Sequence, residues 1–184
     1  MRNLIYAINL TIDGCCDHTK VSGSEEMLEY YTDFLRDVGL IVYGRKTYEL
    51  MIPYWPDVAK NQSSTKAEIE FAQTFTAIDK VVFSRTLDSV EGNTRIVRAN
   101  LADELLKLKQ ETGKKISVGG VDLPAQLIAL GLVDEFYFVV HPFIVGEGRR
   151  LLEDTGQPEK LNLKLVGSKI FKSGCVALQY LKQG

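Results

Sequence analysis

Cysteine is scarce in this chain, and its scarcity limits the chemistry available. The 184 residues include three cysteines, an odd and small number that does not favour a disulfide framework. Cys15 and Cys16 are adjacent, which is not the usual spacing of metal ligands, so we expect small core residues and no metal site. The cysteine content therefore predicts a reduced, cytoplasmic protein.

Long apolar runs and a strong excess of one charge are also missing. No apolar stretch reaches the roughly 20 residues that span a bilayer. Residues 1–4 lead straight into a strand-like pattern without the apolar core of a signal peptide. The formal net charge is -2, so neither nucleic acid nor an anionic membrane is expected as a partner. With 45% apolar residues, the composition favours one compact domain over residues 1–184.

Several common catalytic and binding motifs are absent. The sequence contains no GxGxxG after its first strand-like run, no P-loop and no GxSxG. Its two histidines, His18 and His141, have no evident serine partner. His141 closes an apolar run, so we interpret it as a buried histidine of the core or of an interface. A hydrolase triad is therefore not expected.

Strand-like runs alternate with segments of helical periodicity up to residue 140. This alternation predicts an α/β fold with a mostly parallel sheet. Ser22 and Ser24 precede the first helix, and Ser24 is the predicted N-cap. Pro53 and Pro56 are expected to end the second helix, because proline cannot continue one.

The last part of the sequence follows a different pattern. Residues 161–171 and 175–181 are two further strand-like runs, and the short turn at residues 172–174 separates them. Such a pair predicts an antiparallel hairpin at one edge of the sheet.

Polar residues and glycines collect where the predicted strands end. Ligands of open α/β sheets bind at the carboxyl ends of the strands. Two of these ends carry cations and hydroxyls that suit an anion, although a solvated basic surface explains them as well. A glycine pair before a helix can receive a phosphate, but tight packing accounts for glycines equally well. The candidates are Asp13 and Gly14; Gly44, Arg45, Lys46 and Thr47; Ser84, Arg85 and Thr86; and Gly119, Gly120 and Val121.

The order and spacing of these motifs resemble the dihydrofolate reductase fold over nearly the whole chain. The last third is more similar to the reductase domain of the bifunctional riboflavin-biosynthesis deaminase-reductase. The residues that carry the resemblance are Asp13-Gly14, Tyr43 to Glu49, Phe83 to Thr86, Val118 to Gly120, Gly131 to Glu135, Pro142, and Gly146 to Arg149. The resemblance implies a three-layer α/β/α architecture, with a mostly parallel central sheet and a C-terminal antiparallel hairpin.

The resemblance also implies NADPH as the hydride donor. In the family pattern, Arg45 and Thr47 hold cofactor phosphates, Ser84 and Arg85 grip the adenosine ribose with its 2′-phosphate, and Gly119 and Gly120 lie under the pyrophosphate. Gly44, Lys46, Thr86 and Val121 complete the predicted cofactor-binding set. Asp13 corresponds to an aspartate beside the nicotinamide and the substrate, and we predict Asp13 and Glu26 as the catalytic pair.

Two departures from the family narrow the expected activity. The stretch after the first strand lacks the tryptophan and following acid of folate reductases, and Glu25 and Glu26 are the acids at the start of the first predicted helix, which argues against folate. The zinc deaminase half of the riboflavin enzyme is missing, since no H-x-E with P-C-x-x-C occurs. We therefore predict an oxidoreductase that transfers a hydride to a small planar heterocycle of the pterin or aminopyrimidine type. The alternatives are a non-catalytic nucleotide-binding or interaction protein and a flavin-reducing or otherwise repurposed enzyme on the same fold.

The apolar density near residue 140 predicts a homodimer. Residues 136–140 and 143–145 are almost entirely apolar, and one sheet face can bury only about half of such a run. A second copy of the chain could cover the remainder, together with the edge that the C-terminal hairpin leaves. The alternative is a monomer whose own helices cover both faces.

Overall fold

The computed structural model of the chain describes residues 1–17, 19, 23–61, 63–152 and 160–184. Within them, the strands are β1 (Leu4–Thr11), β2 (Val38–Gly44), β3 (Asp79–Phe83), β4 (Thr94–Val97), β5 (Lys115–Val118), β6 (Glu135–His141), β7 (Leu163–Ile170) and β8 (Val176–Lys182). The helices are α1 (Glu25–Arg36), α2 (Arg45–Lys60), α3 (Lys66–Ala77), α4 (Leu101–Gln110) and α5 (Asp122–Ala129). His18 and Ser22 lie outside the described residues. None of the described helices is long and apolar enough to cross a membrane.

The chain divides into two compact units. The first unit comprises Met1–Arg2 and Ser24–Ser117, and the second comprises Asn3–Gly23 and Val118–Gly184. The expectation of a single domain stays a prediction.

The first unit is built on strands in the order β4-β3-β2-β5. Strand β2 pairs in parallel with β3, and β3 pairs in parallel with β4, as the alternating sequence pattern predicted. Ser24 caps α1 by accepting from the Met27 amide, which confirms the predicted N-cap. Thr65 forms a capping box with Glu68 at the start of α3. These caps fix where α1 and α3 begin.

Helix α2 contradicts the predicted stop at the prolines. It continues through Pro53 and Pro56 to Lys60. Tyr48 and Ile52 are buried on its inner face, and the Trp55 ring lies 4.4 Å from the Phe71 ring between centroids. Each buried apolar side chain contributes about 1.5–3 kcal/mol, which offsets a cost of about 3 kcal/mol per internal proline. Burial of one helix face, which local sequence does not report, therefore overrides the prolines.

The second unit contains the order β1-β6-β8-β7. Strand β6 runs parallel to β1 and antiparallel to β8, and β8 runs antiparallel to β7. The turn between β7 and β8 ends at Gly174, whose φ of 84° favours glycine. These pairings confirm the predicted mostly parallel arrangement with a C-terminal antiparallel hairpin.

Candidate functional site

Two predicted binding segments of the first unit lie side by side. Gly44, the last residue of β2, is the register partner of Phe83, the last residue of β3. Because the strands are parallel, the segments that follow them leave the sheet at the same edge. The structure therefore brings the segment from Gly44 to Thr47 next to the segment from Ser84 to Thr86.

This edge of the first unit carries positive charge. Lys46 and Arg85 are exposed, and neither has a hydrogen bond or ion pair among the described residues. Arg45 meets Glu49 one helical turn later at 3.4 Å, with both side chains about half exposed. Such a surface pair is worth little and opens readily. Gly44 begins α2 without a side-chain cap, so the partial positive charge of the helix start adds to these cations.

Ser84 shapes the turn that presents Arg85. Its side chain is 9% exposed, and its Oγ accepts hydrogen bonds from the amides of Thr86 at 3.2 Å and Leu87 at 3.0 Å. The amide of Ser84 donates to Val97 on the neighbouring strand. Ser84 therefore holds the backbone of the turn, and its predicted contact with the cofactor stays a prediction.

The glycine pair of the second unit lies between β5 and α5. Gly120 has a φ of 93°, which only glycine adopts readily. The buried Tyr6 hydroxyl donates to the Gly120 carbonyl at 2.9 Å, and burial raises the pKa of Tyr6 well above its usual value. Helix α5 starts after Val121 without a side-chain cap, and Asp122 is the acid of its first turn. The glycine turn is thus stabilised by a hydrogen bond from the Tyr6 hydroxyl, which stays protonated.

Asp13 is the most heavily bonded of the predicted residues. One carboxylate oxygen accepts from the Thr11 hydroxyl at 2.6 Å and from the Val145 amide at 3.4 Å. The other accepts from the Gly146 amide at 3.0 Å and from Arg150 at 3.3 Å. The bond from Thr11 and those from the two amides hold the pKa of Asp13 well below its usual range. Asp13 is therefore ionised at neutral pH, and its acceptor positions are used within the chain.

Two arginines that the sequence did not assign to the site lie against Asp13 and the glycine turn. Arg150 donates to the backbone carbonyl of Asp13 as well as to its carboxylate. Arg149 donates to both carboxylate oxygens of Asp122. Arg149 belongs to the motif from Gly146 to Arg149, which supports the family resemblance. That motif is the only feature of the sequence that pointed to Arg149. Their partners are more than 25 positions away, so no local pattern identifies the contacts.

Glu26 and His141 are two further residues that the sequence singled out. Glu26 is in the first turn of α1 and partly buried. His141 is 3% exposed; its Nε2 donates to Asn9 Oδ1, and its Nδ1 accepts from the Cys175 thiol, both at 3.4 Å. Burial lowers the pKa of His141, which keeps the ring neutral. The prediction of a buried, satisfied histidine is confirmed. Among the described residues, no group of three His, Cys, Asp or Glu side chains could hold a metal ion.

Known proteins resemble the chain over almost its full length. It is 34% identical to the uncharacterised protein YyaP of Bacillus subtilis, over 97% of this chain and 94% of that protein. A Shewanella sp. PV-4 structure assigned to riboflavin biosynthesis superposes with a TM-score of 0.75 at 16% identity, over 100% of both chains. Dihydrofolate reductase from Enterococcus faecalis, solved with NADP(H), superposes with a TM-score of 0.65 at 11% identity, over 99% of this chain and 97% of that one. The structural likenesses show the dihydrofolate reductase-like fold that the motifs predicted.

The family follows from a match to one family model. The model of the RibD C-terminal domain matches residues 2–177, which is nearly the entire chain. The chain therefore belongs to the RibD C-terminal domain family, a family of reductases.

Proposed function

We propose that the protein is an NADPH-dependent reductase that transfers a hydride to a small planar heterocycle of the pterin or aminopyrimidine type. The observation that carries the proposal is the pair of exposed cations, Lys46 and Arg85, at the adjacent ends of β2 and β3. Neither has a partner among the described residues, and exposed cations that no acid pairs with favour a phosphate ligand. Membership of a reductase family supports the same conclusion.

The residues of each unit fit parts of NADPH. In the first unit, Arg45, Lys46 and Arg85 would bind phosphate, with Thr47 and Ser84 as hydroxyl donors. In the second unit, the positive φ at Gly120 and the uncapped start of α5 suit an oxyanion. Both sets supply hydrogen-bond donors and partial positive charge, which a phosphorylated cofactor requires, and in the second unit Arg149 pairs with the one acid of the helix start, Asp122.

In this proposal the cofactor supplies the hydride, and the protein positions the reactants and controls proton movement. Asp13 cannot give up a proton at neutral pH, because its carboxyl is already ionised. Its role is to fix the backbone around Val145 and Gly146. Glu26 is the proposed proton relay, because its carboxyl lies in the first turn of α1 and is partly buried.

The test is loss of NADPH absorbance with a panel of oxidised pterins and aminopyrimidines as acceptors. We expect at least one acceptor to be reduced by the wild type. The Glu26→Gln variant should lower kcat while leaving the affinity for NADPH unchanged. Glu25→Gln is the matched control, because it removes an exposed neighbouring carboxylate. Binding of NADPH without reduction of any acceptor would instead support the non-catalytic alternative.

We also propose a homodimer formed through one face of the second unit. Cross-strand partners point to the same side of a sheet. Phe138 therefore shares a face with its partner Leu178, and Tyr180 shares that face with its partner Leu165. Leu165 and Ile170 on that face are 51% and 77% exposed. The apolar side chains of this dimer face are Phe138, Val140, Leu165, Ile170, Val176, Leu178 and Tyr180.

The free edge of β7 is a poor alternative for self-association. Residues 160–184 contain five lysines and no acidic residue. Two copies of β7 paired edge to edge would bring these like charges together, which is destabilising. A dimer is therefore expected to use the apolar face and to leave the edge exposed.

A further inference from the structure

The backbone that carries Arg149 is fixed against the end of β1. The Cys16 amide donates to the Arg149 carbonyl at 2.8 Å, and Cys15 forms a bridge with Arg150. At Gly148, an added Cβ would lie 2.9 Å from the Cys15 sulfur, so a larger residue would not fit without a shift. Asp13 holds the two ends of this segment through Gly146 and Arg150. The position of Arg149 is therefore set by several independent contacts.

The Arg149 side chain reaches the start of α5. It donates to both oxygens of Asp122, the first residue of that helix. Asp122 follows directly on the glycine pair, whose Gly120 carbonyl accepts from Tyr6. A guanidinium thus stands beside the glycine turn that was predicted to lie under the pyrophosphate.

An acid in the first turn creates an electrostatic problem for a phosphate at this helix. Alone, the Asp122 carboxylate would repel a second anion and occupy the helix start that favours negative charge. A guanidinium has five donors in a planar fork, so it can satisfy a carboxylate and still offer donors to an oxyanion. Arg149 is 47% exposed, which leaves part of the group open to solvent and to ligands.

We propose that Arg149 binds the diphosphate of the dinucleotide cofactor and that Asp122 is the residue that positions it. This inference rests on the proposed function and adds a cofactor-binding cation in the second unit. The two arginines would bind different phosphate groups of the cofactor. Arg85 in the first unit would recognise the 2′-phosphate that distinguishes NADPH from NADH, whereas Arg149 would recognise the diphosphate that the two cofactors share.

Fragments of the cofactor separate these roles. ADP carries the diphosphate without the 2′-phosphate, and adenosine 2′-monophosphate carries the reverse. Calorimetric titration of the full chain with both fragments, NADPH and NADH should show that Arg149→Gln weakens ADP, NADPH and NADH by about 10- to 100-fold. Binding of adenosine 2′-monophosphate should not change. The loss should also reduce the salt dependence of ADP binding, because one fewer charge meets the phosphates.

A double variant distinguishes ligand binding from simple neutralisation of Asp122. If Arg149 only offsets the acid, Asp122→Asn combined with Arg149→Gln restores the affinity for ADP, and the inference is overturned. If Arg149 contacts the diphosphate, the double variant regains at most the affinity lost to repulsion by Asp122, and it still binds ADP more weakly than the wild type. The matched control is Arg95→Gln, since Arg95 is a similarly exposed arginine that bonds Glu104 in the first turn of α4 at 3.0 Å.

Failure of the inference and failure of the proposed function give different results. Wild-type protein that binds neither NADPH nor adenosine 2′-monophosphate overturns the proposed function and the inference with it. Wild-type protein that binds NADPH, together with Arg149→Gln protein that binds ADP equally well, overturns only the role of Arg149. A thermal melt of each variant confirms that it is folded, and Arg149→Lys provides a second variant that keeps the charge and loses the fork.

Discussion

Replacing Arg85 by glutamine tests the proposed choice between NADPH and NADH. Arg85 follows the last residue of β3, is exposed and has no partner among the described residues, so its loss should leave folding unchanged. A charge-assisted hydrogen bond contributes about 1.5–3 kcal/mol, and each 1.4 kcal/mol is about tenfold in affinity. The Kd for NADPH should therefore rise by about 10- to 150-fold, whereas the Kd for NADH should not change.

Isothermal titration of wild type and variant with both cofactors measures this difference directly. Lys60→Gln is the matched control, because it removes one exposed positive charge at the far end of α2. Lys60 lies 15 residues beyond Arg45, which corresponds to about 22 Å along a helix. A general effect of net charge would weaken NADPH binding equally in both variants.

The reasoning fails if Arg85→Gln weakens NADPH and NADH by the same factor. That result would mean that Arg85 does not contact the 2′-phosphate. Equal affinity of the wild type for the two cofactors would be a second contradiction, because the cations of the first unit would then confer no preference.

Three further predictions concern stability and assembly. Lys80 is 3% exposed, and burial lowers its pKa to about 8, so the folded chain loses this proton at a lower pH than the unfolded chain. The free energy of unfolding should therefore rise with pH from about 8 to 10.5. Urea titrations should show this rise for the wild type but not for Lys80→Met. Ser84→Ala leaves two amides without an acceptor and should cost about 1–3 kcal/mol in the same assay. Light scattering should give twice 20.6 kDa for the wild type and for Leu181→Lys, but the mass of a monomer for Leu178→Lys. The two variants should differ because Leu178 lies on the dimer face and Leu181 does not. A monomeric wild type would contradict the proposed dimer.

Local sequence predicted the helices and strands wherever the signal was itself local. Ser24 caps α1 through bonds within its own turn, and the hairpin between β7 and β8 depends on a glycine with positive φ. The prolines of α2 show the limit of this logic. Their local cost is real, but the helix continues because Tyr48 and Ile52 are buried against the core, and burial depends on residues that are distant in sequence.

The chemistry of the candidate site divides in the same way. The sequence alone identified which residue types follow β2 and β3, and the parallel register then made their proximity inevitable. It could not establish that Asp13 is bonded to residues 145, 146 and 150, which lie more than 130 positions later. Those bonds occupy acceptor positions of the carboxylate, and they hold the segment that carries Arg149. Residue type and local conformation are properties of the sequence itself, whereas the distant partners of a carboxylate or a guanidinium are supplied only by the tertiary fold.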